Sequence, residues 1–198
     1  MKKIIILFAI VLAQFSVAQN DLPKSANDIA PLLIGEKAPN TNLTSIDGKP
    51  VSFLDVLNNN KTILVFYRGG WCPYCNKHLS ALAEAEPELL KMGYKIVAVS
   101  PDSAKSLEET KSKDKVNYTL LSDSENNFSK AFGLAFEAPK NYEKYLMKGS
   151  DNVNSSIIPV PSVFILDKDG TILFEYIAPD YKHRLSNELL LSVANSLK

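Results

Sequence analysis

One stretch of this chain fixes a strand, a turn and a helix start within thirteen residues. Ile63-Leu64-Val65-Phe66-Tyr67 is continuously apolar and β-rich, the pattern of a strand covered on both faces. Arg68-Gly69-Gly70-Trp71 follows as a glycine turn, and Cys72-Pro73-Tyr74-Cys75 opens a helix. Pro73 suits the first helical position, where a missing N–H leaves no helical bond unmade. Leu79, Leu82, Glu86 and Leu89 keep helical spacing until Gly93 stops the helix, and Pro87 is expected to kink it.

The remaining pattern extends this unit into an α/β domain. Residues 42–52 read as a hairpin around Asp47-Gly48. Lys95–Ser100 is a second buried strand, Ser103–Lys113 a charged helix, Tyr118–Leu121 a third strand and Asn126–Phe132 a short helix ended by Gly133. Ser162–Asp167 and Thr171–Ile177 flank an Asp-Lys-Asp-Gly turn, and Arg184–Leu197 closes the chain as an amphipathic helix. This order predicts a central mixed β-sheet with helices on both faces. Residues 134–158 are too long for an ordinary connection, and such excursions are often functional. Tyr142, Tyr145, Leu146 and Met147 have helical spacing, so a short helix at the rim of the reactive centre is expected there, with 149–156 as a solvated tip.

The first residues stand apart. Lys2 and Lys3 precede an apolar run from Ile4 to Ala13 that is too short to span a bilayer, and Ser16-Val17-Ala18 ends it in a small-x-small pattern. Residues 1–18 therefore read as a signal peptide, 19–33 as a leader segment and 34–198 as the domain, in an exported protein of the periplasm or the medium. Without residues 1–18, which hold two lysines and no acid, 20 basic face 22 acidic residues, a net charge of −2. With no basic block or stripe, nucleic acid and anionic membrane are excluded as expected partners.

Export permits disulfides, yet the chain has only two cysteines, three positions apart. Chain entropy makes a bridge closing so small a loop worth about 2 kcal/mol, against about 4.7 kcal/mol for a hundred-residue loop. A pair placed so poorly for stapling points to chemistry. A helix N-terminus carries about half a positive charge and free N–H groups, which favour a thiolate. Cys72 at the exposed end is the candidate nucleophile, and Cys75, one turn further in, is placed to attack a mixed disulfide. Arg68 adds positive charge, and Trp71 is either a docking surface or packing on the sheet edge. Zinc held by the two cysteines with His78 and His183 is the metal alternative, but the spacing is not that of a finger. His78 and Lys77 read as helix-surface residues, and Arg184 as an ion-pair partner near a helix start.

The C-x-x-C at a strand-to-helix turn, the proline within the helix, and Pro161 before Phe164-Ile165-Leu166-Asp167-x-x-Gly170 together resemble the thioredoxin superfamily. Tyr67-Arg68-Gly69-Gly70-Trp71-Cys72-Pro73-Tyr74-Cys75, with Pro159-Val160-Pro161-Ser162 and Gly35-Glu36-Lys37-Ala38-Pro39-Asn40, is similar to the peroxiredoxin-like branch, of alkyl hydroperoxide reductase and thiol-specific antioxidant type. The likeness covers about residues 34–195. It implies a thioredoxin-like fold, Cys72 as nucleophile, Cys75 as resolving thiol, and Pro161 as a cis-proline facing the pair. Val160, Trp71 and Arg68 join Pro161 as the residues expected to meet substrate. One departure stands out: peroxiredoxins carry Pro-x-x-x-Thr/Ser-x-x-Cys, and here Val65 and Gly69 occupy the first and fifth positions.

Three functions remain open at this point. The first is an exported thiol–disulfide oxidoreductase acting on disulfide-bearing proteins. The second is a thiol peroxidase that takes hydrogen peroxide or alkyl hydroperoxides and draws on a thioredoxin-type reductant, with Cys72 passing through a sulfenic acid. The third is a non-catalytic binding domain. None of them calls for a metal or an organic cofactor.

Overall fold

Alternation along the central strands builds two cores, one on each face of a single sheet. The computed structural model describes residues 21–197, so the signal peptide read at 1–18 lies outside the described residues. The chain forms β1 (Asn42–Ser45), β2 (Pro50–Ser52), α1 (Phe53–Leu57), β3 (Lys61–Phe66), α2 (Pro73–Lys91), β4 (Tyr94–Ser100), α3 (Ala104–Lys113), β5 (Thr119–Ser122) and α4 (Asn127–Ala131). It continues with β6 (Ala135–Glu137), a 3₁₀ turn at Lys140–Tyr142, α5 (Glu143–Gly149), β7 (Ile157–Pro159), β8 (Ser162–Leu166), β9 (Ile172–Ile177) and α6 (Asn187–Ser196).

Seven strands make one mixed sheet in the order β2-β1-β5-β4-β3-β8-β9, and β6 pairs with β7 outside it. β3, β4 and β5 run parallel, while β8, β9 and β1 join antiparallel. On one face Ile63, Val65 and Tyr67 meet Leu79, Leu82 and Leu89 of α2, Leu107 of α3 and Leu190 of α6. On the other, Leu64 and Phe66 meet Phe53 and Leu57 of α1 with Phe128 and Phe132 of α4. Because both faces are covered, β3 carries no polar alternation, and this is why its sequence is an unbroken apolar run. Phe66 sits at the centre of an aromatic cluster, with ring centroids 4.9 Å from Phe132 and 5.4 Å from Phe128.

The expected elements are present, most within a residue or two of their predicted ends; the last helix starts three residues late, at Asn187, and α2 runs on through Pro87 to Lys91. Other features depart from expectation. The leader is docked rather than separate: Leu32 donates to the Phe132 carbonyl at 3.1 Å, and Ile29 and Leu32 pack on the second core. Residues 134–158 hold two short strands and a helix. Their tip is solvated at 151–153 and 155–156, as expected, but it is anchored by Ser150 and Asn154, which are buried and bond each other, with Asn154 N to Ser150 Oγ at 2.8 Å.

The Val160–Pro161 bond is trans, as is every peptide bond among the described residues, which corrects the expected cis-proline. The chain passes in extended form from β7 into β8, and neighbouring groups hold it that way. Val160 N–H donates to the Leu134 carbonyl at 3.0 Å, and the Pro161 carbonyl accepts from Ala178 N–H at 3.0 Å. With no reversal to make, nothing in this register asks for a cis bond.

Candidate active site

β3 delivers the turn at Arg68–Trp71 beyond its carboxyl end, and Cys72 becomes the N-cap of α2, a helix of 19 residues. Cys72 and Cys75 are both thiols and both buried, each 1 % exposed. The expected exposed position of Cys72 is thus corrected. It lies beneath Arg68, whose Nη1 is 3.8 Å from Cys72 Sγ and whose own side chain is buried. The Arg68 guanidinium lies 4.0 Å from the ring centroid of Tyr181, 4.5 Å from that of Tyr142 and 5.0 Å from that of Trp71. A guanidinium stacked on aromatic faces keeps its charge while losing water, as cation–π contact allows.

The two sulfurs are held in opposite protonation states. Cys72 is lowered to about 6, first by the hydrogen bond from the Cys75 thiol, then by the Cys75 backbone N–H and the charges of Arg68 and Arg184, all against the cost of burial. Cys75 is pushed well above an ordinary thiol by burial and by the Cys72 sulfur beside it. This is a poised pair: a thiolate at the helix start and a protonated donor one turn below.

Trp71 is packed rather than free at the edge. Its ring stacks on Tyr145 of α5 at 5.2 Å and tilts on Tyr142 at 5.4 Å. The expected rim helix in 134–158 is therefore present and in contact with the residue next to Cys72. Beside it a cavity of about 340 Å³ is lined by Gly70, Trp71, Asp102, Glu109, Tyr145 and Lys148, among others.

Val160 and Pro161 stand at the junction of β7 and β8. Val160 is fully buried, its N–H donates to the Leu134 carbonyl, and its carbonyl accepts from Ser162 Oγ at 3.0 Å. Pro161 lines a small enclosed space with His78 and Arg184.

Asp102, which follows β4, is a site residue that sequence reasoning missed. It is 2 % exposed and accepts a hydrogen bond from Gly70 N–H at 2.7 Å. Burial pushes its carboxyl up to about 6, while the Gly70 N–H and the Ser100 hydroxyl oppose that shift. Its partner turn leaves no room for side chains. Gly69 has φ +133°, and a Cβ there would stand 2.5 Å from Trp71 Nε1 and 2.8 Å from Asp102 Oδ1. The missing hydroxyl at Gly69 is therefore a steric requirement of this turn.

Two further residues stand elsewhere than expected. His78 is buried and lowered to about 4, first by burial and then by Arg184, so it is neutral at pH 7. Among the described residues Arg184 makes no ion pair; its Nη1 donates to the His183 carbonyl at 2.7 Å and its Nη2 lies 3.6 Å from Cys75 Sγ. Lys77 is exposed, as its position implied. Among the described residues no three or more His, Cys, Asp or Glu side chains are grouped to hold a metal ion.

Comparison with known proteins agrees with this geometry. Residues 34–174 match the profile of the AhpC/TSA family. A putative peroxiredoxin Bcp of Coxiella burnetii is 30 % identical over 139 residues, covering 70 % of this chain and 84 % of that protein. Peroxiredoxin Bcp of Escherichia coli is 26 % identical over 162 residues, covering 82 % and 95 %. Among solved structures, reduced Prx3 of Vibrio vulnificus in complex with hydrogen peroxide superposes with a TM-score of 0.70 at 18 % identity, over 82 % of this chain and 99 % of that one. The fold is thioredoxin-like, of the peroxiredoxin kind.

Proposed function

Because the chain belongs to the AhpC/TSA family, we propose that it is a peroxiredoxin-type thiol peroxidase with Cys72 as peroxidatic and Cys75 as resolving cysteine. The observation that carries this reading is the buried Cys72 thiolate, held at about 6 beneath Arg68. A sulfur 1 % exposed and covered by Arg68 suits a small oxidant far better than a protein disulfide, which needs in-line access. The Val160 N–H, bonded to the Leu134 carbonyl, is also not free for a docked protein chain.

The reaction follows from the geometry. The Cys72 thiolate attacks one peroxide oxygen; an S–O bond forms, the O–O bond breaks, and water or an alcohol leaves after taking a proton. Arg68 offers N–H donors where the family pattern has a hydroxyl, and its charge favours the oxyanion that develops. Cys75 then displaces hydroxide from the sulfenic sulfur, which leaves as water, and closes the disulfide. A dithiol of thioredoxin type restores both thiols.

Disulfide exchange stands as the second reading, favoured by one observation: the two thiols already lie one helical turn apart in direct contact. The basic start and apolar run of residues 2–13 support export, so the reductant would be met in an oxidising compartment. The test is consumption of hydrogen peroxide by the purified protein with a dithiol reductant. Stoichiometric loss of peroxide in the wild type, abolished in Cys72→Ser, is expected. Absence of consumption alongside reduction of a protein disulfide would replace the peroxidase reading with the second one.

A further inference from the structure

The Arg184–Cys75 contact has no part in the reaction as derived so far. We propose that Arg184 is a catalytic residue of the resolving step, the group that turns the Cys75 thiol into a thiolate once Cys72 has been oxidised. This rests on the peroxidase reading above.

The geometry assigns one arginine to each sulfur. Arg68 comes from the turn after β3 and meets Cys72; Arg184 comes from the segment before α6, 109 positions from Cys75, and meets that sulfur at 3.6 Å. The bond from Arg184 Nη1 to the His183 carbonyl fixes the guanidinium in place. Among the described residues no carboxylate pairs with Arg184, because every ion pair there involves Lys24, Lys37 or His183. The guanidinium is thus a half-buried cation in contact with a thiol that has not yet ionised.

The groups around Cys75 define when that ionisation occurs. Cys72 faces it from the helix start, Tyr67 from the end of β3, the Arg68 backbone N–H from the turn, and Arg184 from the other side. His78, next to Arg184, stays neutral and adds no charge. While Cys72 is a thiolate, its negative charge keeps the proton on Cys75, and that proton in turn stabilises the thiolate. Peroxide removes this arrangement: Cys72 becomes a neutral sulfenic acid, and the charge that opposed Arg184 is gone. Cys75 then loses its proton, its thiolate attacks the Cys72 sulfur, an S–S bond forms and the S–O bond breaks. The hydroxide released takes the proton that Cys75 gave up and leaves as water. In the reduced pair this arginine already favours both thiolates, but its pull on Cys75 goes unopposed only after the first step, which imposes an order on the two cysteines.

The test separates the two steps. In single turnover with one equivalent of hydrogen peroxide, Arg184→Met should slow disulfide closure about tenfold at pH 7, so that sulfenic acid accumulates and is captured by dimedone. The preceding oxidation should slow much less. Raising the pH should restore closure, and Arg184→Lys should recover most of it. A second arm needs no peroxide. In Cys72→Ser protein, where the neighbour is neutral, Arg184→Met should raise the pH midpoint for alkylation of Cys75 by about one unit. An unchanged midpoint, or closure at the wild-type rate, overturns the proposal. A shifted midpoint in a protein that does not consume peroxide supports the arginine's role and overturns the peroxidase reading alone. Should Arg184→Met fail to fold, Arg184→Gln gives the same readouts.

Discussion

The carboxylate of Asp102 accepts a hydrogen bond from the backbone N–H of Gly70, two residues before Cys72, at 2.7 Å. This bond ties the end of β4 to the turn that presents the nucleophile, and its acceptor, Asp102, is buried while Gly70 is partly so. Asp102→Ala should therefore lower stability by about 1–3 kcal/mol, the range for orphaning a buried donor. It should also slow the reaction of Cys72 with peroxide. Asp102→Asn keeps an acceptor and should retain most of both, as urea titration and stopped-flow measurement would check.

Reactivity at Cys72 should follow its own ionisation. With the thiol lowered to about 6, alkylation by iodoacetamide should rise to a plateau with a midpoint near that pH rather than climbing towards 9. Cys75 should react slowly throughout. Arg68→Met should move the midpoint upward, and Arg68→Lys should correct it only in part, because an ammonium does not stack on three rings as a guanidinium does. Equal rates at both cysteines would contradict the assigned roles.

How far all this is legible in the sequence depends on the distance over which each feature is encoded. The placement of Cys72 is local: an apolar strand, a glycine turn and Pro73 lie in one short stretch and need no outside information. Asp102 lies 32 positions from Gly70, yet it is reachable in principle. β3 and β4 run parallel with Phe66 opposite Val99, so residues that follow both strands emerge side by side. Arg184 is another matter. Nothing in its neighbourhood distinguishes it from a surface arginine, and only packing of the last segment on α2 brings it to Cys75. The burial of Cys72 was illegible for the same reason, since Tyr142 and Tyr181 belong to segments with no fixed spacing to it. The anchor at Ser150 and Asn154 is illegible because it is made by two polar residues that bond each other, within a tip that otherwise looks like, and is, an exposed loop.

Acidification should weaken the fold through His78. Its folded pKa is depressed to about 4, below the ordinary 6.5, so the unfolded chain binds the proton first. The associated stability is present above about 6.5 and is lost as pH falls towards about 4. Asp102 and Asp123, both raised to about 6, act in the opposite sense over part of that window. Comparing urea midpoints at pH 7 and pH 5, His78→Gln should show a smaller loss on acidification than the wild type. An identical loss would remove His78 as the cause.

The second core should be sensitive at one ring. Phe66 touches the rings of Phe128, Phe132 and Phe164 and is fully buried, so Phe66→Ala should cost about 3–5 kcal/mol. Thermal unfolding would show the loss. Because Phe66 faces away from the cysteines, reactivity of the folded fraction at Cys72 should be largely retained.

Arg68 is clasped by rings from three places in the chain: Trp71 beside it, Tyr142 in the excursion before β7, and Tyr181 near the last helix. A side chain gripped from three directions cannot swing aside alone. Peroxide is small enough to slip past it, whereas a bulky dithiol reductant must wait for the clasp to part. On the peroxidase reading, the expected consequence is that recharging rather than discharge limits each cycle, as gating by loop motion does in other enzymes. Loosening the grip with Tyr142→Ala should then speed recovery by the reductant while leaving the first reaction with peroxide largely unchanged.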